Sequence, residues 1–388
     1  MTRSRLQRFA RRSAAALLIL LAVKAGWVLA FRTDGRALLD GSARRDLMAR
    51  RAYLVDRLAR GGGDGALAPG GQFGGEWQLV TLADSALAVA QIAFAYPDTR
   101  EDAAVVIAAL IQRALRRNVR SFDAVRWGED PIESLAGPNG HIGYLGHLGM
   151  MLGAWRAVGG DARYDALHDA VAGARRMDAA PSPFLETYPG EDYTADNAVA
   201  MAAVALHGLV SGRDPGHGPL ADRWVAHARA RLLDRSTGLL VSGVAPDGGP
   251  RGSARGSWAG WNAYYLPFIH PGFAAEQEAR LDAHLVRRLP FGAAAVREFP
   301  PGAAGGGDVD SGPVILGLSP AGTGFAVAGA RHARDAALLG ALLTTAEVVG
   351  CTVQWRGRRR YLLAPLVGDA ILVAMKTACP WDRRYIRR

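Results

Sequence analysis

Cysteine is nearly absent: Cys351 and Cys379 are the only two in 388 residues. Two thiols so placed make neither a disulfide framework nor a zinc-ligand pattern, so both read as structural, with their pairing left to geometry. No strand–GxxxxGK[ST]–helix occurs, which removes phosphate cradling of that kind. No segment repeats at a fixed period, which argues against a solenoid. Acidic residues are missing before Asp34, whereas Arg3, Arg5, Arg8, Arg11 and Arg12 crowd the same end. Two further clusters, Arg356 with Arg358–Arg360 and Arg383, Arg384, Arg387 and Arg388, account with it for the net charge of +10. The middle of the chain is then close to neutral. A nucleic-acid-binding domain would carry the basic face itself, so nucleic acid is excluded as a partner.

What is present begins with SAAALLILLAVKAGWVLAF (Ser13–Phe31), an apolar segment interrupted by Lys24. At about 19 residues it is nearly long enough to cross a bilayer as one helix. Arginines ahead of it favour a cytoplasmic N-terminus and a translocated remainder. The expectation is an uncleaved signal anchor with the domain on the extracytoplasmic side. Val28-Leu29-Ala30 also fits a cleavage site, and its use would make the protein secreted.

The chain divides into a basic end (1–12), the anchor (13–31), a helical stalk with the Gly-rich link Gly61–Gly75 (32–75) and one large domain (76–388). Within the last, apolar patterning and Gly/Pro breaks predict antiparallel helix pairs. These are Thr81–Tyr96 with Glu101–Asn118, Ile142–Val158 with Ala162–Met177, Asp192–Val210 with Leu220–Leu233, Trp258–Ile269 with Ala274–Leu289, and Gly312–Ala330 with Asp335–Gly350. A β-hairpin over Thr352–Leu363 precedes a last helix, Val367–Thr377. Such pairing predicts an all-α ring of helical hairpins. Polar loops after every second helix should gather on one face, where a site belongs.

Three constellations carry chemistry. In LETYPGEDYTADNAVAMAAVAL (Leu185–Leu206), acids crowd the entrance to an apolar helix. With a helix start near Asp192, Asp192 and Asp196 share a face one turn apart, and repulsion leaves one acid and one base. Helix capping explains Glu191 and Asp192 equally well; Asp196 sits where the helix is already turning apolar and needs partners or a job. In the second constellation, Asp130 and Glu133 flank Pro131, and His147 lies in YLGHLGMML. Capping accounts for the acids, and His147 is either a satisfied core residue or a proton shuttle. His141 and His147 fall on different helix faces, which rules out a two-His metal pair. Third, Asp308 and Asp310 lie in a Gly-rich loop without the spaced acids of a calcium site, and SWAGWNAYYLPF (Ser257–Phe268) supplies Trp258, Trp261, Tyr264 and Tyr265. At a pit those rings would stack on a sugar or wrap an isoprenoid.

In their order, these segments resemble the linalool dehydratase–isomerase family. GEDPIE (Gly128–Glu133) is like its G-x-D-P-I-E, and GHLGMMLG (Gly146–Gly153) like its G-H-L-N-L-M-x-G. GGDARYDALH (Gly159–His168), the stretch ending in Asp196-Asn197, GDVDSG (Gly307–Gly312) and RRYLLAPLVGDAILVAMKTA (Arg359–Ala378) follow collinearly, covering about residues 70–380. The resemblance implies an (α/α)6 barrel with its site in the central pit, and cofactor-free elimination or isomerisation of terpene alcohols. It implies a role for His147, which matches the family's motif histidine. The family's catalytic cysteines fall at Asp196 and Thr187, and its glutamate at Tyr188, with Glu186 and Glu191 close by. A carboxylate thus stands at a proton-transfer position.

The resulting expectation is a membrane-tethered acid/base enzyme using no cofactor and no metal. Asp196, His147, Glu186 and Asp192 are the candidate catalytic residues. Tyr188, Trp261, Tyr264, Asp308, Asp310 and Asp130 are the candidate substrate-binding residues. The substrate is a hydroxylated small molecule or, alternatively, a glycan processed by two carboxylates across the pit; a non-catalytic envelope scaffold is the third reading. A homo-oligomer stays open.

Overall fold

The apolar segment after the N-terminal arginines forms one continuous helix, α1 (Arg3–Phe31). This computed structural model describes residues 3–59, 73–172, 177–178, 180, 182–212, 217–303 and 305–382, with the side chains of 3–11 and 217 left out. From Arg12 to Val23 every residue of α1 is exposed, and only Lys24, Val28 and Phe31 along the rest of it are covered. An apolar helix this exposed is compatible with a membrane or signal-anchor helix.

The remainder is mostly helical with small sheets. Two helices, α2 (Gly35–Asp40) and α3 (Arg44–Ala59), lead to α4 (Gly74–Ala95). That helix is long and apolar enough to cross a membrane, but 94% of its apolar window is buried inside the protein. A helix apolar all round is a core helix when other helices surround it, and α4 has them. They are α5 (Arg100–Ala114), α6 (Arg117–Trp127) and α7 (Ile142–Ala157) on one side. After α8 (Asp165–Val171) come α9 (Thr194–Ser211), α10 (His217–Arg231), α11 (Gly256–Ile269), α12 (Pro271–His284), α13 (Pro320–His332), α14 (Ala336–Gly350) and α15 (Leu366–Thr377).

The packing order is what places the site. Helix α4 packs on α7, α7 on α9, α9 on α11, α11 on α13 and α13 on α15, and α15 returns to α4. The helices between them in sequence lie outside this series: α5 on α4 and α7, α8 on α7, α10 on α9, α12 on α11, α14 on α13. The α7–α9 contact is close because glycines line it. A Cβ at Gly149 would lie 2.9 Å from the Ala203 methyl, and one at Gly153 2.4 Å from Leu206. Side chains there would force the helices apart.

Strands are short. β1 (Asp192–Tyr193), β2 (Gly243–Val244) and β3 (Pro250–Arg251) make one antiparallel sheet; β4 (Val286–Leu289), β5 (Ala293–Arg297) and β6 (Leu318–Ser319) make another. The third is the expected hairpin, β7 (Thr352–Trp355) with β8 (Arg358–Tyr361). Its two turn residues, Arg356 at φ 47° and Gly357 at φ 77°, are both left-handed, as a two-residue hairpin turn of type I′ requires.

Several expected boundaries move. Asp192 is in β1, paired with Val244, and the helix starts at Thr194, so Asp192 and Asp196 are not successive turns of one helix. The segment Gly312–Ser319 is loop and β6, because Gly312 and Gly317 take left-handed φ and α13 is capped by Ser319. Helix α5 stops at Ala114 and a separate α6 follows; α12 ends at His284 and gives way to β4. Residues 74–75 of the expected link are already helical, while 60–72 lie outside the described residues, as do 173–176 of the expected second helix pair and the terminal arginines at 383, 384, 387 and 388.

Candidate active site

The first turns of α4, α9 and α11, with the second turns of α7 and α13, line one cavity of about 460 Å³. Helix α4 contributes Glu76, Trp77 and Val80; α7 contributes His147; α9 contributes Ala195 and Asp196. Ser257, Trp258 and Trp261 come from α11 and Phe325 from α13. Two loops complete the wall: one brings Tyr188, Glu191 and Tyr193, the other Asp308, Val309 and Asp310. Rings pack on one another around the opening, Tyr193 on Trp258 at 5.1 Å and Trp261 on Phe325 at 4.7 Å, both edge-on. An aromatic wall with a few converging polar groups is the usual make-up of a small-molecule site.

Among the described residues five carboxyl residues line this space, and three of them, Glu76, Asp196 and Asp310, hold their protons more tightly than free carboxylates. Glu76 is pushed up to about 8 by burial and by the charges of Asp196 and Asp310, against a hydrogen bond from Tyr188 and the charge of Arg126. Asp196 rises to about 7, chiefly from burial, with the Thr187 hydroxyl (Oγ1 to Oδ2, 2.9 Å) pulling the other way. Asp310 rises to about 6 through burial and its neighbour Asp308, offset by Arg255 and a hydrogen bond from Trp258. Like charges in a desolvated pit cannot all ionise, so the values spread. Burial and mutual repulsion thus keep part of the set protonated near neutral pH.

Basic groups frame the rim. Arg255 donates through Nε to Glu298 at 2.7 Å and through Nη1 to Asp308 at 2.5 Å. Oδ1 of Asp308 in turn accepts the backbone N–H groups of Asp310 and Ser311 at 3.1 and 3.0 Å. The Gly-rich loop is thereby tied to the start of α11, and Asp310 is held over the cavity. Arg126 lies over the Tyr188 ring at 4.2 Å and reaches Glu191 at 3.3 Å. Burial keeps the Tyr188 phenol protonated well beyond its ordinary range, reinforced by Glu76 and Asp196. His147 sits against Trp261, ring centroids 5.8 Å apart, and burial lowers it to about 4. It is neutral at pH 7, and its Nδ1 has no partner among the described residues.

Of the residues singled out from sequence, Asp196, His147, Tyr188, Trp261, Asp308 and Asp310 line the cavity. The other four do not. Glu186 is exposed and accepts the Gly190 N–H at 3.2 Å. Asp192 accepts from Asn197 Nδ2 at 2.8 Å; burial pushes it up to about 8, so it is a neutral partner in the loop. Tyr264 is fully buried behind the wall, beside Tyr265 at 4.8 Å. Asp130 pairs with Arg120 at 2.6 Å and caps the turn by accepting the Ile132 N–H at 2.9 Å. Among the described residues no group of three His, Cys, Asp or Glu has a metal-binding arrangement. Cys351 and Cys379 are unpaired thiols.

Sequence reading passed over Glu76, Trp77 and Arg255. Glu76 carried the same signal as Asp196, an acid in the first turn of a helix that is otherwise apolar. No protein-family model matches the chain.

Proposed function

We propose that this cavity is the active site of a membrane-tethered acid/base enzyme that removes water from, or isomerises, a hydroxylated small molecule. In this reading the returning series of helices is the inner ring of an (α/α)6 barrel, and the likeness to linalool dehydratases–isomerases extends to the reaction class, run without a cofactor. The domain lies on the extracytoplasmic side. The observation that carries the proposal is the convergence of Glu76, Asp196 and Asp310 on one aromatic-walled cavity, where burial raises all three. An acid and a base poised near neutrality in one pit are what general catalysis requires.

In the elimination, protonated Glu76 gives its proton to the substrate hydroxyl as the C–O bond breaks, and water leaves. The proton on the adjacent carbon passes to ionised Asp196 or Asp310, and its electron pair closes the new C=C bond. Positive charge on carbon develops against the faces of Trp258, Trp261 and Tyr188, which attract cations. In isomerisation the C–H bond is kept: water adds at the other end of the allyl cation and gives a proton back to the Glu76 carboxylate. Neutral His147 orients the hydroxyl or the leaving water.

The test incubates the full chain in detergent with prenyl alcohols in D2O and follows diene and deuterium by mass spectrometry. Diene formation that disappears in Glu76→Gln supports the proposal. The three tryptophans on the wall favour a second reading, a carboxylate-dependent glycan enzyme. Cleavage of neutral or uronic oligosaccharides in a parallel arm, with the alcohols untouched, would replace the first reading by this one.

A further inference from the structure

The free part of α1 is too short to cross a bilayer alone. Its exposed apolar stretch, residues 13–23, spans about 16 Å at 1.5 Å per residue, roughly half of the ~30 Å hydrocarbon core. Arginines at 8, 11 and 12 bar any extension towards the N-terminus. Continuing to Phe31 gives about 28 Å, close to a full crossing. Yet residues 24–31 run beside the domain, which covers Lys24, Val28 and Phe31, so a spanning α1 draws part of the domain about 12 Å into the membrane.

Three contacts fix which part that is. Arg32 reaches the Thr344 hydroxyl at 3.4 Å, and Lys24 Nζ donates to Cys351 Sγ at 2.8 Å. Thr344 is in the middle of α14 and Cys351 caps its end, so α14 runs antiparallel to α1 and its C-terminal end lies deepest. The Arg359 guanidinium lies over the Phe31 ring at 5.6 Å. The hairpin thus also reaches α1 through Arg359, while its tip lies against α3, where Arg358 pairs with Asp56 at 2.9 Å.

The deep end is apolar and open. Val348 and Val349 are 45% and 52% exposed, and Leu362 and Leu363 are 48% and 69% exposed. The two leucines are bound to the same spot, their N–H groups donating to Cys351 and Gly350 carbonyls at 3.0 Å. At the far end of the hairpin stand Trp355, 73% exposed, and Arg356. Exposed aliphatic side chains at the depth of Lys24 suit the acyl region of a bilayer. Patches of this kind mark an interaction surface.

We propose that the end of α14 and the Leu362-Leu363 turn form a membrane seat, immersed in the acyl chains of the leaflet on the domain's side. The partner is the lipid itself, and Lys24 is covered at that depth by Cys351. This inference rests on α1 lying in the membrane.

The test uses the full chain in phosphatidylcholine–phosphatidylglycerol nanodiscs, in a Cys351→Ser, Cys379→Ser background. Single cysteines at Leu20, Val349, Leu363 and Val125 carry an environment-sensitive fluorophore, with and without lipids brominated on the acyl chains. Leu362→Cys serves as a second seat position, and thermal unfolding verifies that each labelled chain is folded. Val125, exposed on α6, is the control. The proposal expects blue-shifted emission at 20, 349 and 363, quenched at least twofold by bromine, with 125 unaffected. Quenching at 20 but not at 349, 362 or 363 overturns the seat and leaves the anchor standing. No quenching at 20 either removes the anchor reading and the seat with it. A blue shift at 349 and 363 without quenching means that protein, such as a second copy, covers the patch, and also overturns the proposal.

Discussion

Thr187 donates its hydroxyl to Oδ2 of Asp196 at 2.9 Å, joining the loop before β1 to the first turn of α9 at the cavity wall. These are the two positions that the proposed family likeness aligns with cysteines. A pair of residues separate in sequence and chemically unlike those cysteines meets at the cavity wall. The hydrogen bond favours the ionised carboxylate. Thr187→Val should therefore raise the Asp196 pKa above its value of about 7. The limb of the kcat/KM–pH profile that reports the base should move upward, by about half a unit to one unit.

Glu76→Gln and Asp196→Asn should each lower kcat by about 10²–10⁴, the range for loss of a general acid or base. Neither should unfold the protein. Circular dichroism together with turnover of the prenyl alcohols or oligosaccharides checks both parts.

The same carboxyls make stability fall with rising pH. Their folded pKa values lie above the unfolded ones, so the folded chain binds more protons between about pH 4 and 8. Their contribution is fully favourable below that window and is lost as pH rises through the folded values of about 6 to 8. The melting temperature should drop from pH 5 to pH 8, and Glu76→Gln should flatten the drop. At pH 8 that variant should be more stable than the parent by roughly 1–3 kcal/mol.

Asp46 shows the opposite sign. Burial pushes its carboxyl up, but the charges of Lys376 and Arg50 and hydrogen bonds from Arg359 and Thr33 hold it well below the carboxylate range. Its stabilisation is present above pH about 4 and fades as pH falls further towards the folded value. Asp46→Asn takes from Arg50 and Lys376, both buried, the carboxylate with which each pairs, leaving Arg50 the more distant Asp369 and Glu347. A loss of about 3–5 kcal/mol is expected in urea unfolding at pH 7.

Arg255→Lys removes the fork that reaches both Glu298 and Asp308. One ammonium cannot span the two carboxylates as a guanidinium does. The loop carrying Asp310 should loosen, raising KM by about tenfold, equivalent to ~1.4 kcal/mol, with stability changed far less. Steady-state kinetics beside a melting curve separates the two effects.

The sequence by itself determined the helices, because a run such as Ile142–Ala157 or Thr194–Ser211 is apolar on every face and has nowhere to go but a helical core. It also determined α1, the β7–β8 hairpin and the suspicion attached to Asp196, a carboxylate where an apolar helix begins. Two-residue strands such as β1 and β2 were illegible, since a pairing that short has no period and is set by what the loop packs against. That pairing took Asp192 out of the helix. Only the tertiary structure decided which acids meet. Glu76 enters the cavity because α15 and α7 flank α4 and aim its first turn there, whereas Glu186, a few residues from Asp196 in sequence, turns out to solvent. Proximity along the chain fixed neither; burial next to like charges did, and burial is a property of the packed helices.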